Sequence, residues 1–122
     1  NEEQMEDNIK TFRNFVPLNE EEKAVIAKAQ EALKKSPAVP CTACRYCCDG
    51  CPMGIAIPDV FKALNTIRLY GEEDRAKIII KAAGTSGKAE DCVQCGQCES
   101  VCPQHLPIID LLKKRPKSLT CR

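Results

Sequence analysis

The chain has 122 residues, 29% of them charged and 4% aromatic, with no tryptophan, ten cysteines and a net charge of +1. That is one domain's worth of polypeptide with few large side chains, so apolar burial alone has little to work with. No run of 18 apolar residues and no signal-peptide pattern occurs, which excludes a membrane-spanning helix, and no basic face with interleaved aromatics points to nucleic acid.

Met5, Ile9, Phe12 and Val16 recur at helical spacing and predict an amphipathic helix running to Pro17. Asn19 with Glu22 three residues on is a capping box for a second helix, whose apolar stripe is Val25, Ile26, Ala29 and Leu33. Two helices of this size bury too little on each other, so both stripes call for a further partner surface. Ser36, Pro37 and Pro40 then make a stiff connection and mark a domain boundary. The expected division is a helical segment over residues 1–38, a cysteine domain over 39–115 and a basic tail over 116–122. The chain opens at Asn1 without an initiator methionine, which points to processing or to a piece of a longer protein.

Residues 41–52 and 92–103 are one device written twice, C-x-x-C-x-x-C-x-x-x-C-P, each cysteine of the second copy 51 positions after its counterpart. The match continues through Ile55 with Leu106, Ile57 with Ile108, Asp59 with Asp110 and Lys62 with Lys113, so the repeated unit is a cysteine loop plus the helix leaving it. In such a loop the first three thiolates converge on one iron–sulfur cube and the fourth, before proline, ligates the other. The pattern assigns Cys41, Cys44, Cys47 and Cys102 to one [4Fe–4S] cluster and Cys92, Cys95, Cys98 and Cys51 to the second. Pro52 and Pro103 hold the backbone off helical geometry where the fourth cysteine must leave its own loop. A disulfide scaffold would be less regular, and zinc sites come as two separated pairs; the spacing favours two cubes.

Between the loops, Pro58 opens a helix with Asp59 near its start and Val60, Phe61, Leu64 and Ile67 at helical spacing until Gly71. Another is expected from about Glu73 to Ala83, followed by a turn at Gly84, Ser86 and Gly87, and a short one from Pro107 carrying Ile108, Ile109, Leu111 and Leu112. The fold class is all-α: a helical ferredoxin-like two-cluster domain preceded by two amphipathic helices. Metal ligation supplies much of the folding free energy of the cysteine half, which should be disordered without iron and sulfide. Residues 1–40 carry eight acids and six bases, residues 41–122 nine acids and twelve bases; the basic excess offsets the negative charge of cysteinate cubes.

Cys48 is not a ligand, because the second copy has Glu99 in its place. Cys121 is a free thiol in the tail. His105 is packed or exposed, against the sharper reading of a donor to cluster sulfur. Lys113, Lys114, Arg115, Lys117 and Arg122 form a solvated tail or, alternatively, a docking patch for an acidic redox partner. Tyr46 and Ile55 shield the cubes, and Gly50, Gly54 and Gly96 let backbone N–H groups approach sulfur.

The doubled motif and the mostly helical stretch between its copies resemble the helical ferredoxin domains of fumarate reductase and succinate dehydrogenase iron–sulfur subunits. A wider resemblance rests on Met5-Glu6-Asp7-Asn8-Ile9-Lys10-Thr11-Phe12, Pro17-Leu18-Asn19-Glu20-Glu21-Glu22 and Val39-Pro40-Cys41-Thr42-Ala43-Cys44-Arg45-Tyr46-Cys47. These words look like the carboxy-terminal end of the iron–sulfur branch of the aldo/keto reductase family, in which a (β/α)8 barrel that reduces carbonyls is followed by a two-cluster module. The resemblance implies that the first two helices are barrel-associated. No segment here matches the family's Tyr, Lys, Asp and His catalytic set, so no catalytic residue is carried over.

The reading that follows is a cytoplasmic electron-transfer module serving a redox partner protein or an attached reductase domain. Its rival is a metal-stabilised structural or partner-docking module without redox turnover. Catalysis by the chain itself is disfavoured, since the motif cysteines are all used as ligands and no acid–base pair or phosphate loop is present.

Overall fold

The structure is a computed structural model that describes residues 1–84 and 87–119. The turn residue Ser86, and Cys121 and Arg122 of the tail, lie outside the described residues. The chain divides into two compact units, Asn1–Ser36 and Pro37–Arg122.

The first unit holds α1 (Glu2–Arg13) and α2 (Glu20–Lys34). Asn19 Oδ1 accepts from the Glu22 N–H at 2.9 Å and Glu22 Oε2 accepts from the Asn19 N–H at 2.8 Å, the reciprocal cap that the sequence predicts. α1 stops sooner than expected and leaves Val16 outside it. Asn14 ends it, donating from both its backbone N–H and its side-chain amide to Lys10 O, and Pro17 then biases Val16 away from helical geometry. Every side chain of this unit is exposed, including Phe12 and Leu33 of the two apolar stripes.

In the second unit the elements are α3 (Tyr46–Asp49), α4 (Ile57–Tyr70), α5 (Glu73–Ala82), α6 (Gln97–Ser100) and α7 (Ile108–Lys113). Short 3₁₀ turns at Ala89–Asp91 and Lys117–Leu119 complete it. Among the described residues there is no strand, only an isolated parallel bridge between Ile55 and Gly87; the fold is all-α. At Gly87 a Cβ would lie 1.7 Å from Met53 O, so only glycine lets the two segments come this close. Pro58 occupies the first turn of α4, where a missing N–H costs nothing, and Gly71 ends the helix in the left-handed conformation with its N–H on Ile67 O. No helix among the described residues is long and apolar enough to cross a membrane.

α4 organises this unit. Its inner face seals Phe61, Leu64 and Ile57, each 1% exposed, against α5, Ile55, Ile108 and Leu112. From its flank, Asn65 clamps the segment leading into the first cysteine loop: its Oδ1 accepts from the Val39 N–H at 2.7 Å and its Nδ2 donates to Val39 O at 2.8 Å. At the far end, Leu119 is buried and the 3₁₀ turn around it packs on α5. Arg115 donates to Glu90 at 2.6 Å and to Leu112 O at 2.7 Å; it is an internal clamp rather than part of a solvated tail or docking patch. Phe61→Ala is expected to cost about 3–5 kcal/mol, measured by denaturant unfolding of the metal-loaded protein, because the ring is fully buried and its removal leaves a void in the core.

Candidate metal centre

The two cysteine loops follow the same backbone path. Ala43 and Gln94, Arg45 and Gly96, and Gly54 and His105 are pairs 51 residues apart, and all six have φ between 49° and 79°. Left-handed residues set among right-handed ones curl the chain so that N–H groups converge in anion-binding concavities. Gly50 does not share this conformation; its Cα faces the Gln97 side chain, where a Cβ would sit 2.9 Å from Cγ. Burial repeats as well. The third cysteine of each loop is buried, Cys47 at 8% and Cys98 at 7% exposure, while the second, Cys44 and Cys95, is exposed.

Two cavities of about 330 Å³ each, counting space open to solvent, lie beside these loops. The first is walled by Cys41, Cys44, Cys47 and Cys102 together with Ile57, Phe61, Leu106 and Ile108. The second is walled by Cys92, Cys95, Cys98 and Cys51 together with Ile55, Ile57, Ile109 and Leu112. Each cavity therefore takes three cysteines from one loop and the fourth from the other. Apart from Gln94, every residue of the second wall has its counterpart, 51 positions away, in the first. Ile57 belongs to both walls.

Four soft thiol donors around an apolar space fit an iron–sulfur cube or zinc. Among the described residues no three Cys, His, Asp or Glu side chains gather closely enough for a single ion. A cube needs them further apart, because each thiolate binds a different iron at a different corner. Each wall supplies the four thiols that a cube would need, one for each iron. Burial pushes the Cys47 thiol up to about 12, helped by the neighbouring Cys48 and Cys41. Burial also raises the Cys98 thiol, with the Glu99 charge next in importance. Both are protonated at neutral pH until a cluster takes them as thiolates, so assembly releases protons.

Cys48 lines neither cavity, and its counterpart shows what the position does. Glu99 Oε1 accepts from the Ile109 N–H at 2.8 Å in the first turn of α7. In the first copy Pro58 stands where Ile109 stands in the second, and with no N–H to satisfy, Cys48 needs no acceptor. His105 is exposed and outside both cavities, Tyr46 is exposed at the rim of the first, and Ile55 is sealed in the wall of the second. The Asn65 clamp, the Glu99 cap and the Arg115 clamp were not foreseen from the sequence. Only the pairing of Pro58 with Cys48 against Ile109 with Glu99 offered a signal.

Residues 40–106 match the 4Fe-4S dicluster domain family, which covers more than half of the chain. The protein belongs to that family. A dicluster domain carries two [4Fe–4S] clusters, which supply reversible one-electron transfer. No curated protein and no solved structure matches the chain.

Proposed function

We propose that Cys41, Cys44, Cys47 and Cys102 hold one cluster, that Cys92, Cys95, Cys98 and Cys51 hold the other, and that the chain passes single electrons between a redox partner protein and an attached or docked reductase. The observation that carries this reading is the pair of matched cavities, each walled by four cysteines drawn three and one from the two loops. The residues orient the clusters, exclude water and set their electrostatics. Ile57, Phe61, Ile55 and Leu112 keep the inner faces dry, while the exposed Cys44 and Cys95 mark the sides from which a partner reaches them.

The reductase we propose is of the aldo/keto type, with this chain as its carboxy-terminal module in the cytoplasm. The three sequence words in the first 47 residues support it, and so do the exposed apolar stripes of α1 and α2. Sequencing the reading frame upstream of Asn1 tests this. A barrel with a Tyr, Lys, Asp and His set is the expected result, and an unrelated domain or a stop codon there overturns it. For the clusters themselves, anaerobically purified protein should contain about eight iron and eight sulfide per chain and give an EPR signal on reduction by dithionite. Two zinc and no acid-labile sulfide would overturn the reading; loaded clusters that resist reduction would favour the structural module.

A further inference from the structure

Arg45 occupies a position that backbone geometry would give to glycine. Its φ is 67°, and the equivalent residue of the second loop, with φ 79°, is Gly96. A bulky side chain in the left-handed region is unfavourable, and such strain persists where the side chain does something else. Here it does two things. The guanidinium donates to Asp59 Oδ2 at 3.0 Å, and Arg45 lines the first cluster cavity.

The second loop lacks this cation and adds an anion. Glu99, in the place of Cys48, is adjacent to Cys98 and bonded to Ile109 of the second cavity's wall. Over residues 37–54 the charges are Arg45 and Asp49, which cancel; over 88–105 they are Lys88 against Glu90, Asp91 and Glu99, a net charge of −2. The following helices keep the sign of the difference: Asp59 and Lys62 are matched by Asp110 and Lys113, Arg68 adds one positive charge to α4, and Arg115 offsets Glu90 beside the second loop, which leaves it at −1.

Resting on the cluster assignment proposed above, we infer that the two clusters are unequal: the one held by Cys41, Cys44, Cys47 and Cys102 has the higher reduction potential, with Arg45 as the residue that raises it. Reduction adds one negative charge to a cluster, so a nearby cation favours the reduced state and nearby carboxylates oppose it. An electron entering the module comes to rest on the first cluster. Arg45 is more than half exposed and also lines an open groove beside α4, so its influence weakens as salt rises.

EPR-monitored potentiometry of the anaerobic, loaded protein tests the inference. The single-cluster variants Cys51→Ser and Cys102→Ser identify which midpoint belongs to which cluster. In the unaltered protein the midpoint of the first cluster should lie above that of the second. Arg45→Gly reproduces the residue of the second loop and relieves the left-handed strain, so the protein stays folded and keeps both clusters. It should lower the first midpoint and leave the second in place, by more at low ionic strength than at high. Glu99→Gln, which retains an oxygen for the Ile109 N–H, should raise the second midpoint alone. Equal midpoints in the unaltered protein, or an Arg45→Gly variant with both unmoved, would overturn the inference while the two-cluster reading stands. Protein without reducible clusters would overturn both.

Discussion

Cys51→Ser protein purified without oxygen will keep the cluster of the first cavity and lose that of the second, so iron falls from about eight to about four per chain. By position Cys51 belongs with its own loop, only four residues after Cys47. The backbone takes it elsewhere. Its N–H bonds back to Cys48 O at 3.1 Å, closing the short helix α3, and the chain then turns at Pro52, with the Gly54 N–H on Cys51 O. The side chain ends up in the wall of the second cavity, with Cys92, Cys95 and Cys98, and not in that of the first. Serine keeps the shape but offers a hard oxygen that is a poor ligand for iron in a sulfide cluster. Cys102→Ser should do the reverse, emptying the first cavity and sparing the second. Cys48→Ser should leave iron and sulfide unchanged, which separates loss of a ligand from general damage to the loop. Should Cys51→Ser instead remove the cluster of the first cavity, the crossed arrangement is wrong, and each loop closes on its own metal.

What could be read in the sequence was whatever repeats or punctuates locally. The doubled cysteine run, the Asn19–Glu22 box, Pro58 and Gly71 each act within a few residues, and each appears in the structure where it was expected. Contacts between distant residues left no such trace. Asn65 reaches 26 positions back to Val39, and Arg115 reaches 25 back to Glu90, while in the sequence both look like ordinary polar residues of a helix and a tail. The sharing of Ile57 between two cavities was hidden for a related reason. The repeat relates Ile57 to Ile108 and treats them as equals, yet Ile57 faces both cavities while Ile108 lines the first. For α1 the apolar stripe was legible and its end was not, since an Asn cap three residues before the proline stopped the helix first.

Removing the metal should cost the second unit its fold. The largest fully buried side chains are Phe61, Ile55, Ile57, Leu64, Ile108 and Leu112, and all except Leu64 line a cluster cavity. The largest side chains of the hydrophobic core thus double as walls of the metal sites. With the clusters gone, those side chains would border two spaces of about 330 Å³. Much of that space is open to solvent, so without clusters the apolar walls lose the atoms that would pack against one side of them. The alternatives are flooding an apolar space or collapsing it, and collapse has to drag the two loops across the face of α4. Anaerobic treatment with an oxidant and a chelator should therefore abolish most of the helical circular dichroism and open residues 37–119 to protease. α1 and α2 carry none of the motif cysteines and should keep whatever helicity their caps sustain. Restoring iron and sulfide should bring the resistance back. A chain stripped to less than one iron that kept its protease resistance would show that Phe61 and its neighbours can close on themselves, and that the clusters are guests in the fold rather than its centre.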